Sequence, residues 1–508
     1  MKTTLNRRDF LKLTTLFSMG AVFSPHSWPA AQTQTNPGQP NILIMVFDAW
    51  SASNISLYGY ERKTTPNLAR LADKAIVYHQ HYAGGHFTTP GTASILTGSL
   101  PWKHRAFELY QQLDESFLSK NIFDVFPGHH RFAYTHNPLA DFILQGLMPV
   151  IDDLLPRRSL YLESNPFLNI IFSKDFDTAS VGWNRTFNRR DDGYAYSLYL
   201  SHLYEKLNQR NLVDISPNFP LGIPNRDDTD FFTLEQGIDW LSGQVKTVPQ
   251  PFLGYYHFLP PHNPYKTRID FYKTFAGDGY KPPEKPHHML ASVEPVLLKK
   301  RRTQYDEYIL YVDAEFNRLY QDLEQSGLLE NTWLVLTSDH GEMFERGIKG
   351  HSHPVLYQPV MRVPLMIFPP GGKNRVDVDT PTSAIDLLPT LLSISGMDIP
   401  AWAEGQVLPQ ISGTSLDPAR QISSVQVDKV EDGAIKEAVA TLVEGDYKLI
   451  WTIGYEPLTE GEQIFELYDL ANDPEELENL YPARQEIVDE LFAKLKPKLE
   501  ELQSSYQT

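Results

Sequence analysis

The chain has 508 residues, enough for two or three compact units or one large α/β domain with an appendage. Hydrophobic residues make up 41% and charged residues 21%, which excludes a largely disordered chain; the net charge of −18 argues against a nucleic-acid or anionic-membrane partner. There is no cysteine, so disulfides, thiolate metal sites and a cysteine nucleophile are excluded.

The N-terminus reads as an address. Arg7-Arg8-Asp9-Phe10-Leu11-Lys12 is a twin-arginine run, followed by an apolar stretch from Leu13 to Phe23 and small residues around Ala30-Ala31. That stretch is shorter than the roughly 20 residues of a spanning helix. The expectation is a twin-arginine export signal over 1–31, a polar linker over 32–40, and a protein of the periplasm or exterior.

Asn41 to Phe47 (NILIMVF) is a continuous apolar run, as a buried parallel strand requires, and Asp48 stands at its carboxyl end. Thr65 to Leu71 predicts the start of an amphipathic helix. The stretch from about 110 to 250 has few clean periods and reads as covering structure or as loops that shape a substrate pocket. Tyr305 to Gln325 carries helical spacing, and Thr332 to Thr337 (TWLVLT) is a second buried strand that ends at Ser338-Asp339-His340-Gly341. Val363 to Phe368 is a third strand, and Asp386 to Ser395 a helix. After Pro400 the texture changes to short strands, turns and a charged last helix, so 401–508 is expected to be a small subdomain beside a 41–400 catalytic unit. Strands alternating with helices predict an α/β fold.

Ligands in open α/β sheets gather at the carboxyl ends of strands. Asp48, Asp339 and His340 are there, and their oxygen and nitrogen donors suit a divalent cation such as Mn²⁺, Zn²⁺, Mg²⁺ or Ca²⁺. A threonine hydroxyl is a weak nucleophile until a metal or a base activates it. Thr88, in the loop Thr88-Thr89-Pro90-Gly91-Thr92, is the candidate fourth ligand and attacking group.

The stretches PNILIMVFDAW (40–50), LYGYERKTTPNLARLA (57–72), TTPGTASILTGSLP (88–101), YHFLPPHNPY (256–265), the 305–344 segment through LTSDHGEMF, VLYQPVMRVPLMIF (355–368), DLLPTLLSISGMDIP (386–400) and ELYDLANDPEELENL (466–480) follow one another in the order of a known family. The sequence resembles the sulfatase family of the alkaline phosphatase superfamily. The resemblance implies an alkaline-phosphatase-like sandwich, with a central mixed β-sheet flanked by helices and a small C-terminal α+β subdomain. It also implies ester hydrolysis through a covalent intermediate. By matching, His262 is expected to contact the ester oxygen, Lys103 and His104 to lie near the leaving group, and His351 or His353 to hold the transferred group, act as general acid or bind a second ion. Arg362 and His257 read as structural.

The departures from the family matter as much. Thr88 stands where sulfatases carry the Cys or Ser that becomes formylglycine, and Thr92 replaces the arginine of that motif. No formylglycine is expected. Ala49 follows Asp48 where the family pairs two aspartates. Phe132 to Asn137 (FAYTHN) occupies the place of a cationic segment, with His136 as its candidate polar contact. A lone Asp, a Thr and an Asp-His pair resemble the related phosphodiesterases, phosphonate monoester hydrolases and headgroup phosphotransferases. One divalent ion is expected, Mn²⁺ or Zn²⁺ before Ca²⁺ or Mg²⁺, acting on a small-molecule, lipid or glycan ester. The alternatives are a phosphotransferase, a sulfuric ester hydrolase without formylglycine, and a binding protein on the same fold. The oligomeric state is open.

Overall fold

The computed structural model describes residues 38–162, 212–226, 230–411, 413, 420–455, 463–504 and 506. The expected export signal and much of the 110–250 stretch lie outside them.

The strands run in chain order as β1 (Asn41–Phe47), β2 (Ile76–Tyr82), β3 (His130–Thr135), β4 (Asp153–Leu154), β5 (Phe252–Phe258), β6 (Thr332–Thr337), β7 (Met343–Glu345), β8 (Ile348–Gly350), β9 (Arg362–Phe368), β10 (Val376–Val378) and β11 (Thr382–Ser383). β7 and β8 form a separate hairpin. The others make one nine-stranded sheet in the order β10-β2-β9-β6-β1-β5-β3-β4, with β11 also on β2. β1 is parallel to both β5 and β6, and β5 is parallel to β3. β9 runs antiparallel between β6 and β2, so the sheet is mixed.

The apolar run of β1 follows from this central place. Leu43, Met45 and Phe47 enter one core with the helices Pro66–Leu71, Leu234–Val245 and Pro295–Gln325. Ile42, Ile44 and Val46 enter the other, with the helices Thr88–Thr97, Pro138–Gly146 and Leu387–Ile394. Each side chain so buried contributes about 1.5–3 kcal/mol of transfer free energy. The alternation puts a helical layer on each face, which is the α/β sandwich expected.

The helix expected from Tyr305 begins ten residues earlier, at Pro295. Its first turns (PVLLKKRR) are mostly exposed, so they carry no apolar stripe, while Pro at the first position is compatible with a helix start. In the C-terminal part, β12 (Ile422–Glu431), β13 (Ala434–Glu444), β14 (Tyr447–Ile453) and β15 (Gln463–Asp469) form an antiparallel four-stranded sheet. The helix Gln485–Ser504 buries Val488, Leu491, Leu495, Leu499 and Leu502 against it. Among the described residues no helix is long and apolar enough to cross a membrane.

Candidate active site

The parallel strands set the site. Val46 of β1 is level with His257 of β5 and with Thr337 of β6, and His257 is level with Thr135 of β3. The residues that leave these four strands at their carboxyl ends therefore meet at one edge. They are Asp48, Asn137, His257 and Asp339-His340, all fully buried. Asp48, Asp339 and His340 each offer a donor atom within 4.8 Å of the others.

The local backbone is built for this meeting. Ala49 has φ +59, a strained value for a residue with a side chain, and turns the chain sharply after Asp48. Its N–H donates to Asp339 Oδ1 at 3.3 Å, and the Trp50 N–H donates to Ser338 Oγ at 2.9 Å. Thr88 is the first residue of the helix Thr88–Thr97, at the end where unpaired N–H groups favour negative charge. Gly91 in the next turn passes so close to Asp339 that a Cβ there would lie 2.2 Å from its carbonyl oxygen.

Thr88 Oγ1 is 3.5 Å from His340 Nε2 and accepts a hydrogen bond from Asn137 Nδ2 at 3.0 Å. Asn137 also donates to Asp48 Oδ2, while its Oδ1 caps the helix Pro138–Gly146 by accepting from the Leu139 N–H. His340 Nε2 lies 3.4 Å from Asp48 Oδ1 and 3.5 Å from Asp339 Oδ2. Asp48 Oδ1 and Asp339 Oδ2 are buried and have no hydrogen-bond partner. Buried carboxylate oxygens facing one another without donors are stable only with a cation or proton between them. The donor set thus fits a divalent ion.

The electrostatics agree with a cation site. Burial alone would raise Asp48, yet the histidines around it (His262, His257 and His340) hold it well below the usual carboxylate range. Burial and the Asp48 charge push Asp339 up. Burial acts to lower His340, but the carboxylates of Asp339 and Asp48 overcome it and raise the ring to about 9. Below that pH the metal-free site carries a proton on His340 that a cation must displace. Metal binding is expected to release about one proton and to tighten about tenfold per pH unit between pH 6 and 8, levelling above 9. Calorimetric titration in two buffers of different ionisation heat measures the proton directly; an affinity flat with pH would show that no such proton is held.

A second group of rings lines the same edge. His351 sits 4.2 Å, centroid to centroid, from His340 and 4.9 Å from His262. Its Nδ1 meets Glu342 Oε1 at 3.0 Å, and Tyr265 donates to Glu342 Oε2 at 3.0 Å. Burial lowers His262 to about 4 and, helped by the His340 charge, lowers His351 well below its usual value. The Arg226 charge also acts on both rings, and its Nε is buried without a partner.

The structure brings together Asp48, Thr88, Asp339, His340, His262 and His351. Two expected residues are not with them. Lys103 is half-exposed and pairs with Glu404 at 3.3 Å. His104 is buried, but its Nε2 meets Ser94 Oγ at 3.1 Å and its Nδ1 accepts from the Ala106 N–H at 3.2 Å. Both its nitrogens are used locally, and it ties two helices. His353 spans its own turn through Gly350 O and the Val355 N–H. Arg362 donates to His79 O.

Two expectations reverse. In the FAYTHN segment the group that reaches the site is Asn137, not His136. His136 stacks on Phe232 at 4.4 Å, and burial lowers it to about 3. His257, read as structural, lies with Nε2 3.3 Å from Asp48 Oδ2 and 3.6 Å from Asp339 Oδ2. Asn137-Pro138 did carry a signal, since Asn before Pro starts a helix, and a capping Asn at a strand end has its Nδ2 free. Asn137→Ala is expected to lower kcat about 10–100-fold through Thr88 and to cost about 1 kcal/mol through the lost cap. Paired kinetic and melting measurements separate the two, and an unchanged kcat would remove Asn137 from the site.

Comparison with known proteins decides the family. The sulfatase model matches residues 40–397, and the model described as N-sulphoglucosamine sulphohydrolase, C-terminal, matches 351–505. The chain belongs to the sulfatase family. This sulfatase-family protein is an ester hydrolase by that membership. It is 26% identical to an ulvan-active sulfatase of Formosa agariphila, over 94% of this chain and 84% of that protein. It is 24% identical to a choline-sulfatase of Rhizobium meliloti, over 87% of this chain and 82% of that one. In fold it resembles the phosphonate monoester hydrolase of Agrobacterium radiobacter, with a TM-score of 0.65 at 19% identity, covering 92% of this chain and 96% of that one. The family is generally divalent-metal dependent.

Proposed function

We propose that this protein is a divalent-metal-dependent hydrolase of phosphodiesters or phosphonate monoesters, with Thr88 as the nucleophile. The observation that carries the reading is the placement of Thr88 Oγ1, on a helix N-terminus, between Asn137 Nδ2 and His340 and beside two carboxylates with unpartnered oxygens. Asp48, Asp339, His340 and Thr88 would hold the ion. When bound, it would acidify the Thr88 hydroxyl and draw negative charge from the ester oxygens.

The chain's own groups do the rest. Asn137 donates to Oγ1 and so stabilises it as it gives its proton to His351 Nε2 in the first cycle, the proton that the leaving oxygen then takes up. Oγ1 attacks phosphorus, the bond to the leaving oxygen breaks, and a phospho-Thr88 ester results. Glu342 holds the Nδ1–H of His351 and leaves Nε2 as an acceptor on a ring that burial keeps neutral. Water then attacks phosphorus, gives its proton to His351 Nε2, and displaces Oγ1. In the next cycle the protonated ring returns that proton to the leaving oxygen. Arg226 supplies positive charge on the side of His262 and His351, where the non-bridging oxygens need it.

Phosphorus is preferred over sulfur because Thr88 cannot become formylglycine, so the covalent intermediate must be opened by attack on the central atom. The sulfatase relatives favour the second reading, a sulfuric ester hydrolase that uses unmodified threonine. A paired assay decides between them: bis-p-nitrophenyl phosphate and a phosphonate monoester against p-nitrophenyl sulfate, with Mn²⁺ or Zn²⁺ added. Preference for the sulfate ester would overturn the phosphorus reading. The Arg7-Arg8 run supports action outside the cytoplasm; retention of an Arg7→Lys/Arg8→Lys double variant in the cytoplasm would agree with that placement, and unchanged export would refute it.

A further inference from the structure

His257 stands apart from the roles given above. Its ring is fully buried, and Nε2 has no hydrogen-bond partner. That nitrogen points at the gap between the two carboxylates, 3.3 Å from Asp48 Oδ2 and 3.6 Å from Asp339 Oδ2. On the other side of the ring, Nδ1 faces Tyr255 OH at 3.3 Å and Thr92 Oγ1 at 3.5 Å. Each hydroxyl oxygen can accept a hydrogen bond from an Nδ1–H. The ring then carries its hydrogen on Nδ1 and aims the Nε2 lone pair at two anionic oxygens. Such an arrangement is repulsive unless a cation sits between.

The separations favour a metal ion over a shared proton. A charge-assisted N–H···O⁻ bond closes to about 2.7–2.9 Å. Donors that share one ion at bonds of about 2.0–2.2 Å stand about 3.0–3.5 Å from one another, depending on geometry. His340 Nε2 shows 3.4 and 3.5 Å to the same pair of aspartates. The two imidazoles thus share Asp339 Oδ2 and take opposite oxygens of Asp48, at similar separations.

We propose that His257 is a further protein ligand of the cation, so that Asp48, Asp339, His340 and His257 form a set of two carboxylates and two imidazoles. The Tyr255 and Thr92 hydroxyls orient the ring through Nδ1, as second partners of ligating histidines do. Thr92, which replaces the family's arginine, is small enough for its hydroxyl to face the His257 ring. The chemical consequence is metal choice. Two imidazoles favour Zn²⁺ or Co²⁺, whereas Ca²⁺ takes oxygen donors. This inference rests on the metal-dependent reading above.

The test uses the full chain stripped with a chelator and titrated with Co²⁺, Zn²⁺ and Ca²⁺, for wild type, His257→Ala and His257→Gln. Co²⁺ reports its ligands through its visible d–d bands, and calorimetry gives each affinity. The wild type is expected to bind one Co²⁺ or Zn²⁺. Both variants should bind these ions about 100-fold more weakly, with altered Co²⁺ bands, while Ca²⁺ affinity changes little. A general loss of structure would weaken all three ions together and show in far-ultraviolet circular dichroism; His257→Gln, close in volume, guards against it. Wild-type Zn²⁺ affinity and wild-type Co²⁺ bands in the folded variants would overturn the role of His257. A wild type that binds none of the ions would overturn the metal-dependent reading itself, and this inference with it.

Discussion

Thr88→Ala is expected to abolish turnover of every substrate class, by about 10³-fold or more, while the protein stays folded. The hydroxyl is the atom that Asn137 Nδ2 and His340 Nε2 face, and no other hydroxyl pairs with those two nitrogens among the described residues. Thr89 is next in sequence, but its Oγ1 is buried without a partner. The lost contact costs about 1 kcal/mol of stability, which a melting curve can resolve from the catalytic loss. Thr88→Ser keeps the oxygen and should retain a measurable part of the rate. Turnover by the alanine variant at the wild-type level would sink the nucleophile assignment.

Asp48→Ala is expected to take bound metal from about one ion per chain to almost none, and activity with it. Asp48 is the hub of the site. His340, His257 and Asn137 all meet its carboxylate, so its removal leaves three buried polar groups without their shared partner. Each orphaned group costs about 1–3 kcal/mol, so the variant should also melt earlier. Asp48→Asn keeps the shape and isolates the charge. Elemental analysis after dialysis gives the occupancy, and full occupancy in both variants would mean that the ion is held elsewhere.

Much of this was readable in order along the chain. β1, β6 and β9 announce themselves because strands covered on both faces must be apolar throughout. Asp48 and Asp339-His340 could be placed because the first directly follows such a strand and the second follows one after a single residue, Ser338. Thr88 could be placed because its loop matches a family motif in all but the nucleophile and the arginine. Other residues could not be found this way. β5 carries His257 in a run of aromatic residues, and nothing in that run says which face the ring takes. Lys103 and His104 show the limit of motif matching, since a motif position does not tell a residue with a local partner from one aimed at a ligand.

The sequence by itself determined the family, the α/β sandwich of a sheet between two helical layers and the absence of cysteine chemistry, and it singled out Asp48, Thr88, Asp339 and His340 as one candidate set. These depend on local pattern and motif order. The tertiary structure alone decided that β5 lies beside β1, and β3 beside β5, although more than 200 residues separate β5 from β1 in the chain and more than 100 separate β3 from β5. That sheet order brings Asn137 and His257 onto Asp48, and brings Glu342 behind His351. Strand order is set by how the helices bury their faces on both sides of the sheet, a global balance of packing that no short window of residues records.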